Sequence, residues 1–245
     1  MAPSASNIGI VDITGQVNIT AIGKMYAAPT VGNLGVSLVT IALMDQRATV
    51  SGAVRAYVGQ GIDLDASGLK ILADAPFVQG SSPDAYDEHS YGMGAYARSL
   101  NLSLGALASI TDIKSVAKVD GVVEAFIGAG RGLVASDVMT DVNVGGGNID
   151  VIADGDMRAV SDIASISASG GLALNLFENR SEVLGRASAF VRDGVNLVSG
   201  TLDVSAGNPL VVDDRVVMEA FATASSFSVG FVGAGAVLEP TAITG

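Results

Sequence analysis

Apolar residues in this chain recur at alternate positions over short stretches, and almost nowhere with the three-to-four-residue spacing of an amphipathic helix. Four stretches follow the template apolar, any, apolar, any, Ala: VNITA (17 to 21), LKILA (69 to 73), IDVIA (149 to 153) and LDVSA (202 to 206). A second group comprises RAYVG (55 to 59), EAFIG (124 to 128) and SAFVR (188 to 192). A third group supplies longer alternations: LGVSLVTIAL (34 to 43), LGALASITDI (104 to 113), GGLALNLF (170 to 177) and FSVGFVGAGAV (227 to 237). Alternation rich in Val, Ile and aromatic residues predicts strands with one face turned to a core. Capping boxes ahead of apolar runs are lacking, so no helix is predicted.

The three groups recur in the same order. Aligning the third on Gly35, Gly105, Gly171 and Gly230 gives spacings of 70, 66 and 59 residues. From the second-group Ala to the closing Ala of the first group is 17 residues in two copies, Ala56 to Ala73 and Ala189 to Ala206. In the middle copy, Ala125 to Ala153, it is 28, and the excess is assigned to SDVMTDVNVGG (136 to 146). The expected fold is all-β: a β-solenoid, parallel β-helix-like, of about 3.5 degenerate units of roughly 65 residues. A β-sandwich or barrel is the alternative that alternating strands also serve. Residues 1–245 read as one elongated repeat domain, with 75–94 a surface loop excursion rich in Gly, Ser and Pro.

Composition sharpens this. Apolar residues make up 49% of the chain but aromatics only 5%, and Trp is absent, so the core is built from thin layers of Ala, Val, Leu and Ile. The net charge of −12 leaves no basic footprint for nucleic acid and disfavours docking to anionic lipid. It suits a solvated extracellular surface. Without cysteine there is no disulfide framework, thiolate nucleophile or Cys-ligated zinc. The opening MAPSASNIGI lacks the basic and apolar regions of a leader, as would the start of a mature or excised piece. The longest apolar run, residues 31 to 44, is too short to cross a bilayer as a helix. A transmembrane β-barrel would carry aromatic girdles, which are missing.

Candidate chemistry is sparse. In DAYDEHS, Asp84, Asp87, Glu88 and the single histidine His89 could converge on a metal, or His89 could serve Ser90 as a base. A triad draws its members from separate positions, so a solvated acidic loop is the preferred reading. Asp63 and Asp65 share one strand face and could act as a glycan-cleaving carboxylate pair. Asp213 and Asp214, beside Arg215, read as a turn. GGGNIDVI (145 to 152) approaches a calcium-binding nonapeptide, with Asn148 where an obligatory glycine belongs. Calcium is therefore the one cofactor the sequence entertains, and Gly145 to Gly147 are equally accounted for as a turn. GAGRG (128 to 132) lacks the Gly-Lys-Ser/Thr ending of a phosphate loop. Both it and GFVGAGAV (230 to 237) read as glycines at tight corners or close backbone contacts. The triplets NIT (18 to 20), NLS (101 to 103) and NRS (179 to 181) fit the glycosylation pattern. No residue is assigned a catalytic, cofactor-binding or metal role.

The string RAYVGQGIDLDASGLKILADA, with its relatives EAFIGAGRGLVAS and SAFVRDGVNLVSGTLDVSA, resembles the repeats of large secreted bacterial adhesins, filamentous-haemagglutinin-like and leukotoxin-type. The resemblance covers residues 15 to 237 and implies a secreted or cell-surface solenoid with structural or adhesive work and no catalytic residues. One further pattern bears on partners. GQVNITAIGKM (15 to 25) matches GNIDVIADGDM (147 to 157), the end of a unit, while SVGFVGAGAVLEPTAITG resembles the start of one. Head-to-tail stacking of copies, or neighbouring repeats of a longer chain, would complete the unit. The functional expectation is a non-enzymatic extracellular structural or adhesive protein that self-associates and meets a glycan or cell-surface ligand. A glycan-active β-helix enzyme and a calcium-stabilised surface module are the alternatives.

Overall fold

A computed structural model describes residues 9–76, 92–132, 139–206, 218–237 and 241–244, and its regular elements there are all strands. The chain makes four passes through the same positions. The first contains β1 (Gly9–Asp12), β2 (Gln16–Ile22), β3 (Met25–Ala27) and β4 (Thr30–Val58). The second contains β5 (Ile62–Asp65), β6 (Gly68–Ala75) and β7 (Met93–Ile127). In the third are β8 (Thr140–Asn143), β9 (Asn148–Gly155), β10 (Met157–Ser169), β11 (Leu172–Val183) and β12 (Arg186–Val191). The fourth holds β13 (Val195–Val198), β14 (Thr201–Ala206), β15 (Met218–Val229), β16 (Val232–Val237) and β17 (Thr241–Thr244).

Each strand pairs in parallel with its counterpart in the neighbouring pass, giving three sheets. Two have four strands, in the orders β1-β5-β8-β13 and β2-β6-β9-β14, and the third has nine, centred on β7. The alternating templates stack position on position. Val17, Leu69, Ile149 and Leu202 form one column, and Arg55, Glu124 and Ser188 another. Like residues over like residues keep the inward layers thin. Leu69, Ile71, Ala73, Ile149, Val151 and Ala153 are fully buried at the centre of the main core.

Three details differ from the sequence reading. GIVD (9 to 12), outside the repeat groups, pairs with IDLD (62 to 65) although the two look unrelated, so that strand position recurs four times, while that of β12 recurs three times among the described residues. Aligning the third group by its glycines is two residues out: Gly105 pairs with Ser37 and Ser169. The excess residues of the middle copy enter chiefly between Ile127 and Thr140, ahead of strand β8. The 75–94 excursion falls mostly outside the described residues, between Ala75, which closes β6, and Met93, which opens β7.

The nine-stranded sheet carries the most unusual feature. β7 runs out from the core, turns near Gly105, and returns against itself. Ser103 and Ser109 hydroxyls meet at 2.8 Å, Asn101 donates to the Thr111 hydroxyl at 3.2 Å, and Ser115 donates to the Ala97 carbonyl at 3.3 Å. At the turn a Cβ on Gly105 would lie 1.9 Å from the Ala108 carbonyl oxygen, so only glycine fits. The neighbouring passes do the same, and the paired arms form a two-layered blade. Its base interior holds a small apolar cluster of Met44, Ile113, Ile163 and Phe177.

Candidate functional site

The strands that return from the blade end beside a corner, and there the outward positions gather charge and aromatic rings. Alternation sends Ala125 into the core and leaves Glu124 and Phe126 facing outward. Stacking places Arg55 and Ser188 beside Glu124, and Tyr57 and Phe190 beside Phe126. The three rings stack in parallel, with centroids 4.8 and 5.1 Å apart. Beyond them Gly128 takes φ +98°, a conformation that favours glycine, and turns the chain. The corner brings Arg131 back over the Phe190 ring at 5.5 Å, where Arg192 also lies at 5.2 Å.

Glu124 is the centre of this site, its side chain only 1% exposed. Arg55 Nε donates to Oε2 at 2.9 Å, Arg186 donates to Oε1 at 3.0 Å, and Arg131 Nε lies 3.4 Å from Oε1. Burial pushes the carboxyl pKa up, but hydrogen bonds and charge from Arg55 and Arg186 outweigh it and hold Glu124 below the ordinary carboxylate range. Held between three guanidinium groups, the carboxylate arranges charge at this corner. Three guanidinium groups against one carboxylate leave a local positive excess in a chain of net charge −12. The cleft alongside, about 500 Å³, is lined by Arg55, Tyr57, Gln60, Glu124, Phe126 and Arg131, together with the glycine corner.

Of these residues only the corner GAGRG (128 to 132) is weighed in the sequence as a site, and there as a phosphate loop. The available signal was that one template position holds Arg55, Glu124 and Ser188 in turn, opposite charges in register. Asp63 and Asp65 do share a face of β5, and their neighbours extend the pattern: Asp63 lies beside Asp141, and Asp65 beside Asp12 and Asn143. Asn143 Nδ2 donates to Asp65 at 2.9 Å and Asn196 Nδ2 to Asp141 at 3.1 Å, so amides separate part of the charge. The third pass offers Asp141 and Asn143 at these positions, so the carboxylate pair itself is not reproduced.

The other candidates resolve simply. Gly145 has φ +57° and donates to the Asn143 side chain at 3.1 Å, a local turn, while the Thr201 hydroxyl donates to Asn148 at 2.7 Å. Among the described residues no group of three or more His, Asp or Glu side chains could hold a metal ion. GAGRG forms the corner, whereas Val232–Val237 of GFVGAGAV is strand β16, paired with β11. Asn101 and Asn179, the acceptors of two glycosylation triplets, are buried. Asp84, Asp87, Glu88, His89, Ser90, Asp213, Asp214 and Arg215 lie outside the described residues. No helix among the described residues is long and apolar enough to cross a membrane. No family model, curated protein or solved structure matches the chain.

Proposed function

We propose that this chain is a β-solenoid segment of a secreted or surface-bound bacterial structural or adhesive protein, without enzymatic activity. The observation that carries this reading is the parallel stacking of equivalent residues from pass to pass, the strands of the first and last passes being paired on one edge only among the described residues. Such edges are templates for further strands. Copies of the chain, or neighbouring repeats of a longer one, would extend the rod end to end without any new interface chemistry. The arginine-rich cleft beside Glu124 suits an acidic surface ligand such as an anionic glycan, since guanidinium forks match carboxylates and Tyr57 offers an exposed ring.

The glycan-active alternative has only the Asp63 and Asp65 columns behind it, and the calcium alternative only the single turn at Gly145. The competing architecture is a barrel closed around the nine-stranded sheet. Electron microscopy of the purified chain separates these. A solenoid that stacks through its ends gives rods that lengthen with concentration and show an axial repeat of about 4.8 Å. Uniform short particles at every concentration would remove end-to-end assembly, and a closed ring in cross-section would remove the solenoid.

A further inference from the structure

The outer part of the blade reverses the usual distribution of side chains. Its interior is polar and hydrogen-bonded: Asn33 donates to Asn101 at 2.8 Å, Asn101 to Ser165 at 3.1 Å, and Ser167 to Asn175 at 2.8 Å. Its outside is apolar on both faces. Leu34 and Leu43, 72% and 73% exposed, stand on opposite faces in the first pass. Leu102, Ile166 and Phe227 extend the first face along the column of Leu34, while on the second face Leu43 and Leu176 flank Asp112 in one row that closes the apolar surface. The rim joins them through Leu38, Leu107 and Phe231, the last 95% exposed. Closer to the core the outer positions become charged and paired: Arg98 with Asp162, Lys114 with Glu178, and Asp45 with Arg47. Among described residues beyond that belt only Asp112 carries charge.

We propose that the blade rim is a lipid-contacting edge, seated to about 10 Å in the interfacial layer of a zwitterionic membrane. The shape of the apolar surface chooses this occupant. Four strands about 4.8 Å apart and about three steps of about 3.3 Å between the rim and the Asp112 row make one face on the order of 200 Å². A stable protein interface needs roughly 800 Å² from each partner, so a second copy seated on one face falls short and leaves the rim and the far face wet. A hydrocarbon layer covers both faces and the rim together. An apolar exterior around a polar, hydrogen-bonded interior is also the pattern of β-structure adapted to lipid. Asp112 limits the depth, because the apolar rows between it and Leu107 span about 10 Å at 3.3 Å per residue. Shallow seating also keeps the open edge of β4 near headgroup water, where its unpaired backbone groups are satisfied. The rim has no lysine or arginine, and the net charge of −12 opposes anionic lipid, so the attraction is apolar.

Flotation of the full chain with phosphatidylcholine vesicles tests this, beside the variants Leu38→Asp and Leu107→Asp. Both positions are exposed, so thermal melting of each variant should match the parent. The parent is expected to float with the vesicles, no better when phosphatidylserine is added, and each variant to bind at least tenfold more weakly. Absence of the parent from the vesicle fraction, equal binding by the variants, or a preference for phosphatidylserine overturns the proposal. So does lipid-free sedimentation showing a dimer that the same variants dissociate without the parent binding vesicles, which would assign the rim to a second copy.

Discussion

A buried carboxylate is tolerated when cations and hydrogen bonds replace the water it loses, and Glu124 meets that condition through Arg55, Arg131 and Arg186. Because its pKa is lowered in the folded protein, the stabilisation is complete above the ordinary carboxylate range and is lost as pH falls through the folded value. Glu124→Gln keeps the shape and removes the charge. It should lower stability by about 1–3 kcal/mol at pH 7, the loss of charge-assisted hydrogen bonds. The difference in melting temperature between parent and variant should then shrink as the pH is taken down to about 3. A difference that stays constant across that range would show that ionisation of Glu124 is not what stabilises the fold. This site was only half legible: the letters of EAFIG and RAYVG predicted strands and their facing, but not that Arg131 would return to Glu124 from a glycine corner. That approach depends on Gly128 turning the chain, which local alternation does not encode.

At the scale of elements, glycines and methionines fit one another across the core. Met25, Met93, Met157 and Met218 stack in one column at the base of the blade. Opposite them on the returning strands, a Cβ on Gly52, Gly121 or Gly185 would lie 2.5, 2.1 or 2.2 Å from the sulfur of Met25, Met93 or Met157. Met93 is fully buried, so its sulfur can retreat only into the packed core. Gly121→Ala should therefore destabilise by about 1–3 kcal/mol through overpacking, and adding Met93→Ala should recover part of that loss. Gly15→Ala, where a Cβ meets nothing within 4 Å, is the control and should leave the denaturation midpoint almost unmoved. Equal midpoints for Gly121→Ala and the parent would mean that the column relaxes freely. The strands themselves were readable from their period. The blade was not, because an arm that turns back on itself has the same alternation as a straight strand, and Ser, Thr and Asn on the inward positions look like a solvent face.

For the whole molecule, pairing is non-local throughout. Val17 meets Leu69, 52 positions away, and Leu69 meets Ile149, 80 positions away. Closing such loops before any contact rewards them makes folding slow. Refolding from denaturant, followed by circular dichroism at 25 °C, should take about a second or longer. Completion within milliseconds would mean that one pass folds by itself and templates the next. The same parallel stacking explains why residues that are unremarkable in one copy acquire meaning in several: a column multiplies each choice by the number of passes.

All-β character, the recurring order of strands and the small-residue core follow from alternation and composition, because strand facing is a local property with a period of two. The number of passes, the polar blade with its apolar rim and the Arg–Glu cluster depend on which distant strands lie side by side. Register between strands 50 to 80 residues apart is set by the fit of the whole core, as GIVD beside IDLD and Met93 against Gly121 illustrate, and no single stretch of sequence contains that information.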